Sequence, residues 1–154
     1  MRPLRIYIDT SVIGGYFDKE FEVETKLLFN KFIKGEYILV LSDLTKRELL
    51  NAPEHVKTLL KDLEIKNSEE VQVTTETIEL ASDYIAENVV GQTSMDDCIH
   101  IATATVYRVD ILASWNFKHI VNINRIRGYN SINIRKGYSI LEIRSPKDMI
   151  DYEN

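Results

Sequence analysis

Four polar residues lie directly after short apolar segments or at the start of a helical pattern. Asp9 follows the segment LRIYI, Glu48 comes shortly after YILVLS, and Asp97 opens the segment DCIHIATA. Asn116 follows a further apolar segment, ILAS. Carboxylates that meet in one place raise one another's pKa unless a cation balances their charge. Mg²⁺ and Mn²⁺ prefer such oxygen ligands and support phosphodiester cleavage, so these residues predict a metal-dependent hydrolase site if the fold brings them together.

Each of these residues also has an ordinary structural interpretation. Asp9 could turn the chain after a strand. Glu48 follows Thr45 by three positions, and Asp97 follows Ser94 by the same distance, which is the spacing of a helix capping box. Asn116 could be a turn residue, because asparagine is common in turns. These interpretations stay open for each residue alone, whereas their joint placement favours a shared site.

Segments of two kinds alternate along the chain, and they must position these side chains. Short apolar runs rich in β-branched and aromatic residues predict strands. The predicted strands are Leu4–Asp9, Tyr37–Leu41, Val71–Thr74, Ile111–Ser114 and a last one near Tyr138–Ile143.

Helical periodicity is present between these strands. The predicted helices are 22–34, a short one ending near Leu50, one starting at Pro53, Thr75–Val90, 94–107 and a short one opened by Ser145-Pro146, whereas the rest of 115–137 is predicted to be rich in loops. Alternating strands and helices favour a three-layer α/β/α sandwich with a central parallel sheet. Ligands of such sheets bind beyond the carboxyl ends of the strands, which is where the polar residues fall.

Length and composition limit the possible classes of protein. The 154 residues are 44% hydrophobic and 28% charged, which predicts a single globular domain spanning 1–154. The formal net charge of −5 argues against a non-specific DNA coat. The one cysteine, Cys98, cannot form an internal disulfide, and no apolar run is long enough for a signal peptide or a membrane helix. We therefore expect a cytoplasmic protein without a membrane segment.

One part of the chain has a charge opposite to the whole. Residues 111–141 contain five basic side chains and no acidic one, which leaves 14 basic against 24 acidic side chains elsewhere. The five are Lys118, Arg125, Arg127, Arg135 and Lys136, and aromatic residues are interleaved with them. Such a stretch suits single-stranded RNA, although a solvated surface that merely lacks acids is an equal alternative.

Four motifs together resemble a known family. YIDTS at 7–11, TKREL at 45–49, DCIHIATA at 97–104 and SWNFKHI at 114–120 occur in the order and spacing of PIN domains. The chain is similar in particular to the stand-alone VapC-type toxins of prokaryotic toxin–antitoxin pairs, over about Leu4 to Pro146.

This resemblance implies a metal-dependent ribonuclease with a parallel sheet between helices. It implies that Asp9, Glu48 and Asp97 hold one Mg²⁺ or Mn²⁺, with Asp9 as a direct ligand. The fourth position, usually Asp in the family, is Asn116 here, which weakens the case for a second metal. Supporting positions are Thr10, Ser11, Asp96 and Ser114. The family often forms homodimers and pairs with a small antitoxin.

Other functions have weaker support. His55, His100, His119 and Cys98 lack paired zinc-ligand spacing, and no Walker A, G-x-S-x-G or G-x-G-x-x-G motif is present. His100 is expected to be a hydrogen-bonded structural histidine, and Lys118 with His119 to start a helix or contact phosphate. The alternative function is a PIN-like RNA-binding or regulatory module without turnover, which the amide at position 116 favours.

Overall fold

The computed structural model describes residues 2–89 and 95–150, and within these ranges five short strands form one fully parallel sheet. The strands are β1 (Leu4–Ile8), β2 (Tyr37–Ser42), β3 (Ser68–Val71), β4 (Ile111–Ala113) and β5 (Glu142–Arg144), in the order β3-β2-β1-β4-β5. Tyr7 of central β1 pairs with Val40 and Leu112 of its two neighbours. The carboxyl ends of β1, β2 and β4 therefore lie side by side.

Helices cover both faces of the sheet, which confirms the predicted three-layer α/β/α architecture. They are α1 (Thr10–Gly15), α2 (Glu22–Ile33), α3 (Asp43–Leu49), α4 (Glu54–Lys57), α5 (Leu59–Asp62), α6 (Thr75–Ala86), α7 (Met95–Val106), α8 (Ile123–Arg135) and a 3₁₀ turn at Pro146–Met149. Ile6 and Ile8 pack in the core on the side of α1 and α2, whereas Tyr7 packs in the core on the side of α6 to α8. Side chains alternate between the faces of a strand, so an unbroken apolar run such as IYI at 6–8 is expected where both faces are covered.

The prediction of a loop-rich stretch over 115–137 was wrong, because α8 occupies most of it. This helix contains Gly128 and many polar residues, so its apolar pattern is weak. Its N-cap is Asn122, whose side chain accepts hydrogen bonds from two backbone N–H groups of the first turn. Tyr129 and Ile132 are buried against the layer formed with α6 and α7, and this packing stabilises a helix of poor intrinsic propensity.

The two edge strands were predicted at the wrong positions. β3 covers Ser68–Val71 rather than Val71–Thr74, and β5 covers Glu142–Arg144 rather than Tyr138–Ile143. Both are short and largely polar, and each is defined by backbone pairing with one inner strand. The sequence 75–90 was predicted as one helix, whereas α6 ends at Ala86 and position 90 lies outside the described residues.

The helix α1 follows β1 directly and includes Gly14 and Gly15. Asp9 is its N-cap and accepts a hydrogen bond from the backbone N–H of Val12 at 3.4 Å. Because the cap residue is also the end of the strand, the carboxylate of Asp9 is fixed at the carboxyl edge of the sheet. None of the helices over 2–89 and 95–150 has the length and apolar character needed to cross a membrane.

Candidate active site

Asp9 lies at the centre of the carboxyl edge of the sheet and is almost fully buried. One oxygen of its carboxylate accepts a hydrogen bond from the Ser11 hydroxyl at 2.6 Å, and the other accepts one from the Ser114 hydroxyl at 2.6 Å. Burial raises the pKa of Asp9, although the charge of His100 and these hydroxyl groups act in the opposite direction. The hydroxyls at 11 and 114, expected to support the site, thus contact Asp9 directly.

Glu48 reaches the same edge from the last turn of α3. Its Oε1 atom accepts hydrogen bonds from the Thr10 hydroxyl at 3.0 Å and from the Nε2 atom of His100 at 2.6 Å. Burial alone would raise the pKa of Glu48, but the hydrogen bond and charge of His100 and the bond from Thr10 outweigh it, so the pKa is lowered. Glu48 is therefore the most firmly ionised acid of the group.

Asp97 lies in the first turn of α7 and is partly buried. Its Oδ2 atom accepts a hydrogen bond from the amide of Asn116 at 3.3 Å. Burial raises the pKa of Asp97, and the charges of Asp9 and Glu48 raise it further against the opposing influence of His100 and His119. The three carboxylates are thus close enough to affect one another electrostatically, and four segments remote in sequence meet here.

Of the ordinary structural interpretations, the capping box of Thr45 and Glu48 is wrong and the turn at Asn116 is confirmed. The N-cap of α3 is Ser42, whose hydroxyl accepts from the backbone N–H of Thr45 at 3.3 Å, so the interpretation of Thr45 and Glu48 as a capping box was wrong. Asn116 does form a turn, because its Oδ1 atom accepts from the backbone N–H of His119 at 3.0 Å, while its amide group contacts the acid cluster. The corresponding interpretation of Ser94 lies outside the described residues.

Asp96 is oriented differently from its neighbour in the sequence. Its side chain is exposed, and it makes no hydrogen bond or ion pair within 2–89 and 95–150. Successive residues of a helix point about 100° apart, so only one of two adjacent acids can face the sheet edge. The exposed side chain of Asp96 is therefore directed away from the acids whose charges act on Asp97.

The donor atoms at this edge are suitable for a hard divalent cation. Within the described ranges, no three Asp, Glu, His or Cys side chains are close enough to form a complete metal cage. Mg²⁺ does not need one, because it commonly keeps several waters and binds one or two carboxylates. Asp9, Glu48 and Asp97 bring carboxylate oxygens to this edge, and burial raises the pKa of Asp9 and of Asp97. A cation held here would be bound by one or two of these carboxylates together with water.

Several solved structures of bacterial proteins have the same architecture. VapBC2 from Rickettsia felis, bound to a DNA fragment from its promoter, aligns with a TM-score of 0.57 at 11% identity, covering 92% of this chain and 98% of that one. FitAcB from Neisseria gonorrhoeae aligns with a TM-score of 0.57 at 12% identity, covering 92% and 98%. VapC20 from Mycobacterium tuberculosis, a toxin that cleaves the sarcin–ricin loop, aligns with a TM-score of 0.54 at 10% identity, covering 73% and 91%.

The chain has a VapC-like PIN-domain fold. At these identities the likeness concerns the fold alone. No family model matches the sequence, and no curated protein matches it either.

The basic side chains of this PIN fold form two groups. Lys118 and Arg127 are exposed and make no ion pair with any described residue, and Arg125 donates to the backbone carbonyl of Val89 at 2.7 Å. In contrast, Arg135 lies 3.5 Å from Glu87 and Lys136 lies 3.7 Å from Asp83, both across the contact between α8 and α6. Lys118 precedes α8 and Arg127 lies in its second turn, whereas Arg135 and Lys136 lie at its C-terminal end. Lys118 and His119 lie in a turn rather than at the start of a helix.

A buried pair behind the acids was not assigned to the site from the sequence. His100 was expected to be a hydrogen-bonded structural histidine, and its Nδ1 atom does contact the hydroxyl of Tyr7 at 2.6 Å. Its other ring nitrogen, however, contacts Glu48. The spacing of three residues from Asp97 on one helix face is the sequence signal that would have placed His100 beside the acids. Tyr7 had no comparable signal, because an aromatic residue in a buried strand is ordinary core.

Proposed function

We propose that this protein is a metal-dependent endoribonuclease that hydrolyses phosphodiester bonds of single-stranded or structured RNA. The observation that carries the proposal is the convergence of Asp9, Glu48 and Asp97 from three remote segments at the carboxyl edge of the sheet. Two of these acids have pKa values raised chiefly by burial, so a bound cation would favour their ionised form.

The residues of the chain have distinct roles in this proposal. A bound Mg²⁺ or Mn²⁺ would lower the pKa of a coordinated water and polarise the phosphate. Asp9 would anchor the ion from the most rigid element, held by Ser11 and Ser114. Glu48 and Asp97 would complete the binding of the ion, partly through water, and one of the two would orient the attacking water. Asn116 donates to Asp97 and adds no negative charge, which favours one metal ion over two.

The test is cleavage of a generic single-stranded RNA over a titration of Mn²⁺ and Mg²⁺. We expect internal cleavage products that appear with metal and disappear with EDTA. Asp9→Asn should lower the rate at least about 100-fold, because removing a positioned catalytic group typically costs at least this much. Asp97→Asn should also lower the rate, and Asp96→Asn is its matched control. The side chain of Asp96 is exposed, whereas that of Asp97 contacts Asn116 beside the other acids. Full activity of Asp97→Asn would contradict the proposal.

The alternative is an RNA-binding module without turnover, which the amide at position 116 favours. Binding of the same RNA at submicromolar concentration, with no products over the whole metal titration, would establish this alternative. Electrophoresis of end-labelled RNA distinguishes the two results directly.

We further propose that the protein is the toxin of a toxin–antitoxin pair in the cytoplasm, with a small antitoxin and a second copy of the chain as partners. The support is that the structures of similar fold include VapBC2 and FitAcB. Induced expression in a bacterial host should arrest growth, whereas Asp9→Asn at equal protein level should not. Normal growth with the wild-type protein, at a level that yields cleavage in extracts, would favour an RNA-processing role.

A further inference from the structure

We propose that His100 is a positioning residue that holds the carboxylate of Glu48 by its Oε1 atom and leaves Oε2 for a divalent cation. The inference deepens the proposed function and rests on it. His100 lies between Tyr7 of the central strand and Glu48 of α3, with 2.6 Å on each side, and only 3% of its side chain is exposed. A buried imidazole whose two nitrogens are both hydrogen-bonded has one orientation. His100 therefore fixes the carboxylate of Glu48 relative to the central strand.

The hydrogen bonds of Glu48 all fall on one oxygen. Among the described residues, Thr10 and His100 both donate to Oε1, and none donates to Oε2. An ionised carboxylate only accepts hydrogen bonds, so the Nε2 atom of His100 carries a hydrogen in this contact. The second oxygen of the carboxylate is thereby left with its lone pairs available at a fixed position.

The other side of the imidazole is anchored deep in the protein. Tyr7 is fully buried, and its hydroxyl also contacts the Ser42 hydroxyl at 2.8 Å. Ser42 in turn accepts from the backbone N–H of Thr45 as the cap of α3. The end of β1, the start of α3 and the middle of α7 are therefore joined through His100, and all three elements carry or adjoin a site acid.

The physical reason for such a device is the freedom of a glutamate side chain. Glu48 has three rotatable side-chain bonds and lies on a partly exposed helix turn, so ordering it on metal binding costs conformational entropy. A histidine bond formed beforehand removes much of this cost. Partners that orient a metal ligand typically account for about 10- to 100-fold in metal affinity.

Two substitutions separate the two sides of the imidazole. The amide of His100→Gln overlaps the position of Nε2 and retains the donor to Glu48, whereas the amide of His100→Asn overlaps Nδ1 and retains only the contact to Tyr7. Mn²⁺ binding to the full chain is measured by calorimetry without RNA, together with urea denaturation. We expect His100→Asn to weaken Mn²⁺ binding by about 10- to 100-fold and His100→Gln by less than about 3-fold.

A double-mutant cycle with Glu48→Gln distinguishes positioning from general destabilisation. If His100 acts through the carboxylate, His100→Asn should cause no further loss of Mn²⁺ affinity in the Glu48→Gln background. Should His100→Asn fail to fold, Tyr7→Phe removes the anchor on the other side and should weaken Mn²⁺ binding by about 3- to 10-fold.

The outcomes are distinct. Unchanged Mn²⁺ affinity in His100→Asn, or equal losses in the Asn and Gln variants, overturns the positioning role while metal-dependent RNA cleavage by the wild type still supports the proposed function. A wild-type protein that neither binds Mn²⁺ nor cleaves RNA overturns both.

Discussion

At the scale of single residues, burial of Asp9 has a consequence for stability. Its pKa in the folded protein is raised above the value near 4 of an unfolded aspartate. The folded state therefore binds the proton more tightly, and the stability contributed by this group is lost as pH rises from about 4 towards the folded pKa. Glu48 has a lowered pKa and contributes in the opposite sense, since its stabilisation is lost as pH falls below about 4.

We predict that Asp9→Asn makes the metal-free protein more stable at pH 7 and that this gain shrinks towards pH 4. The reason is that the amide does not ionise, so it avoids the cost of a buried charge at the higher pH. Urea denaturation in EDTA at both pH values measures the difference. With saturating Mn²⁺ the order should reverse, because a ligand stabilises only the protein that binds it. A gain in stability that is the same at both pH values would contradict the raised pKa.

Asn116 offers a second prediction at this scale. Its amide donates to Asp97, and Asn116→Asp would replace this donor with a like charge. We expect the metal-free protein to be destabilised by about 1 kcal/mol, because the two carboxylates repel each other, and Mn²⁺ affinity to rise. Denaturation with EDTA and with Mn²⁺, together with calorimetry, measures both effects. A destabilised variant with unchanged Mn²⁺ affinity would show that position 116 lies outside the reach of the ion.

At the scale of elements, the loop after β4 is held by Trp115. Its indole N–H donates to the Thr25 hydroxyl at 2.9 Å, and its ring stacks on Phe21 with 4.2 Å between centroids. The backbone N–H of Trp115 itself donates to the Ser11 hydroxyl at 2.9 Å. Trp115 thus connects α1, α2 and the loop that carries Ser114 and Asn116.

At Gly15, the packing of Trp115 against α1 and α2 leaves no space for a side chain. A Cβ atom there would lie 2.7 Å from the indole nitrogen of Trp115 and 2.9 Å from the Thr25 hydroxyl. We predict that Gly15→Ala destabilises the protein by about 1–3 kcal/mol and lowers RNA cleavage, because the indole must move. Denaturation monitored by tryptophan fluorescence measures the destabilisation.

Gly14 is the matched control for that change. A Cβ atom at Gly14 would meet nothing within 4 Å, so Gly14→Ala should be neutral or stabilise by up to about 1 kcal/mol through helix propensity. Equal effects of the two substitutions would show that contact with Trp115 is not the cause.

At the scale of the whole molecule, the basic residues of 111–141 should differ in how much they contribute to RNA binding. Lys118 before α8 and Arg127 in its second turn are exposed, whereas Arg135 and Lys136 at its C-terminal end lie near acids in the last turn and at the C-cap of α6. We predict that Lys118→Ala with Arg127→Ala weakens RNA binding. The slope of log affinity against log salt should fall by about 0.7 for each phosphate group that the variant no longer neutralises. Fluorescence anisotropy over a salt titration measures both quantities.

The paired residues provide the comparison for this surface. Arg135→Ala with Lys136→Ala removes the same charge and should leave the salt slope unchanged, because these side chains serve the contact between two helices. If both double variants lower the slope equally, net charge rather than position determines RNA binding.

The inner strands and the three acids could be predicted from the sequence because their signals are local. The segments 6–8, 37–41 and 111–113 are continuously apolar, since both faces of an inner parallel strand are covered. Asp9 and Glu48 follow the first two of these strands and Asp97 opens the helix before the third, and the topology of a parallel sheet brings such positions to one edge.

Other features were decided only by tertiary contacts. The helix α8 has too few apolar residues to be recognised alone, and burial of Tyr129 and Ile132 against its neighbours stabilises it. The strands β3 and β5 are defined by pairing rather than composition. His100 lies beside Glu48, 52 positions away in the chain, and the side chain of Asp96 is exposed whereas that of Asp97 is half-buried. Local patterns determine which elements form, whereas contacts between distant side chains determine which polar atoms share an environment, because the energy of those contacts exists only once the chain has packed.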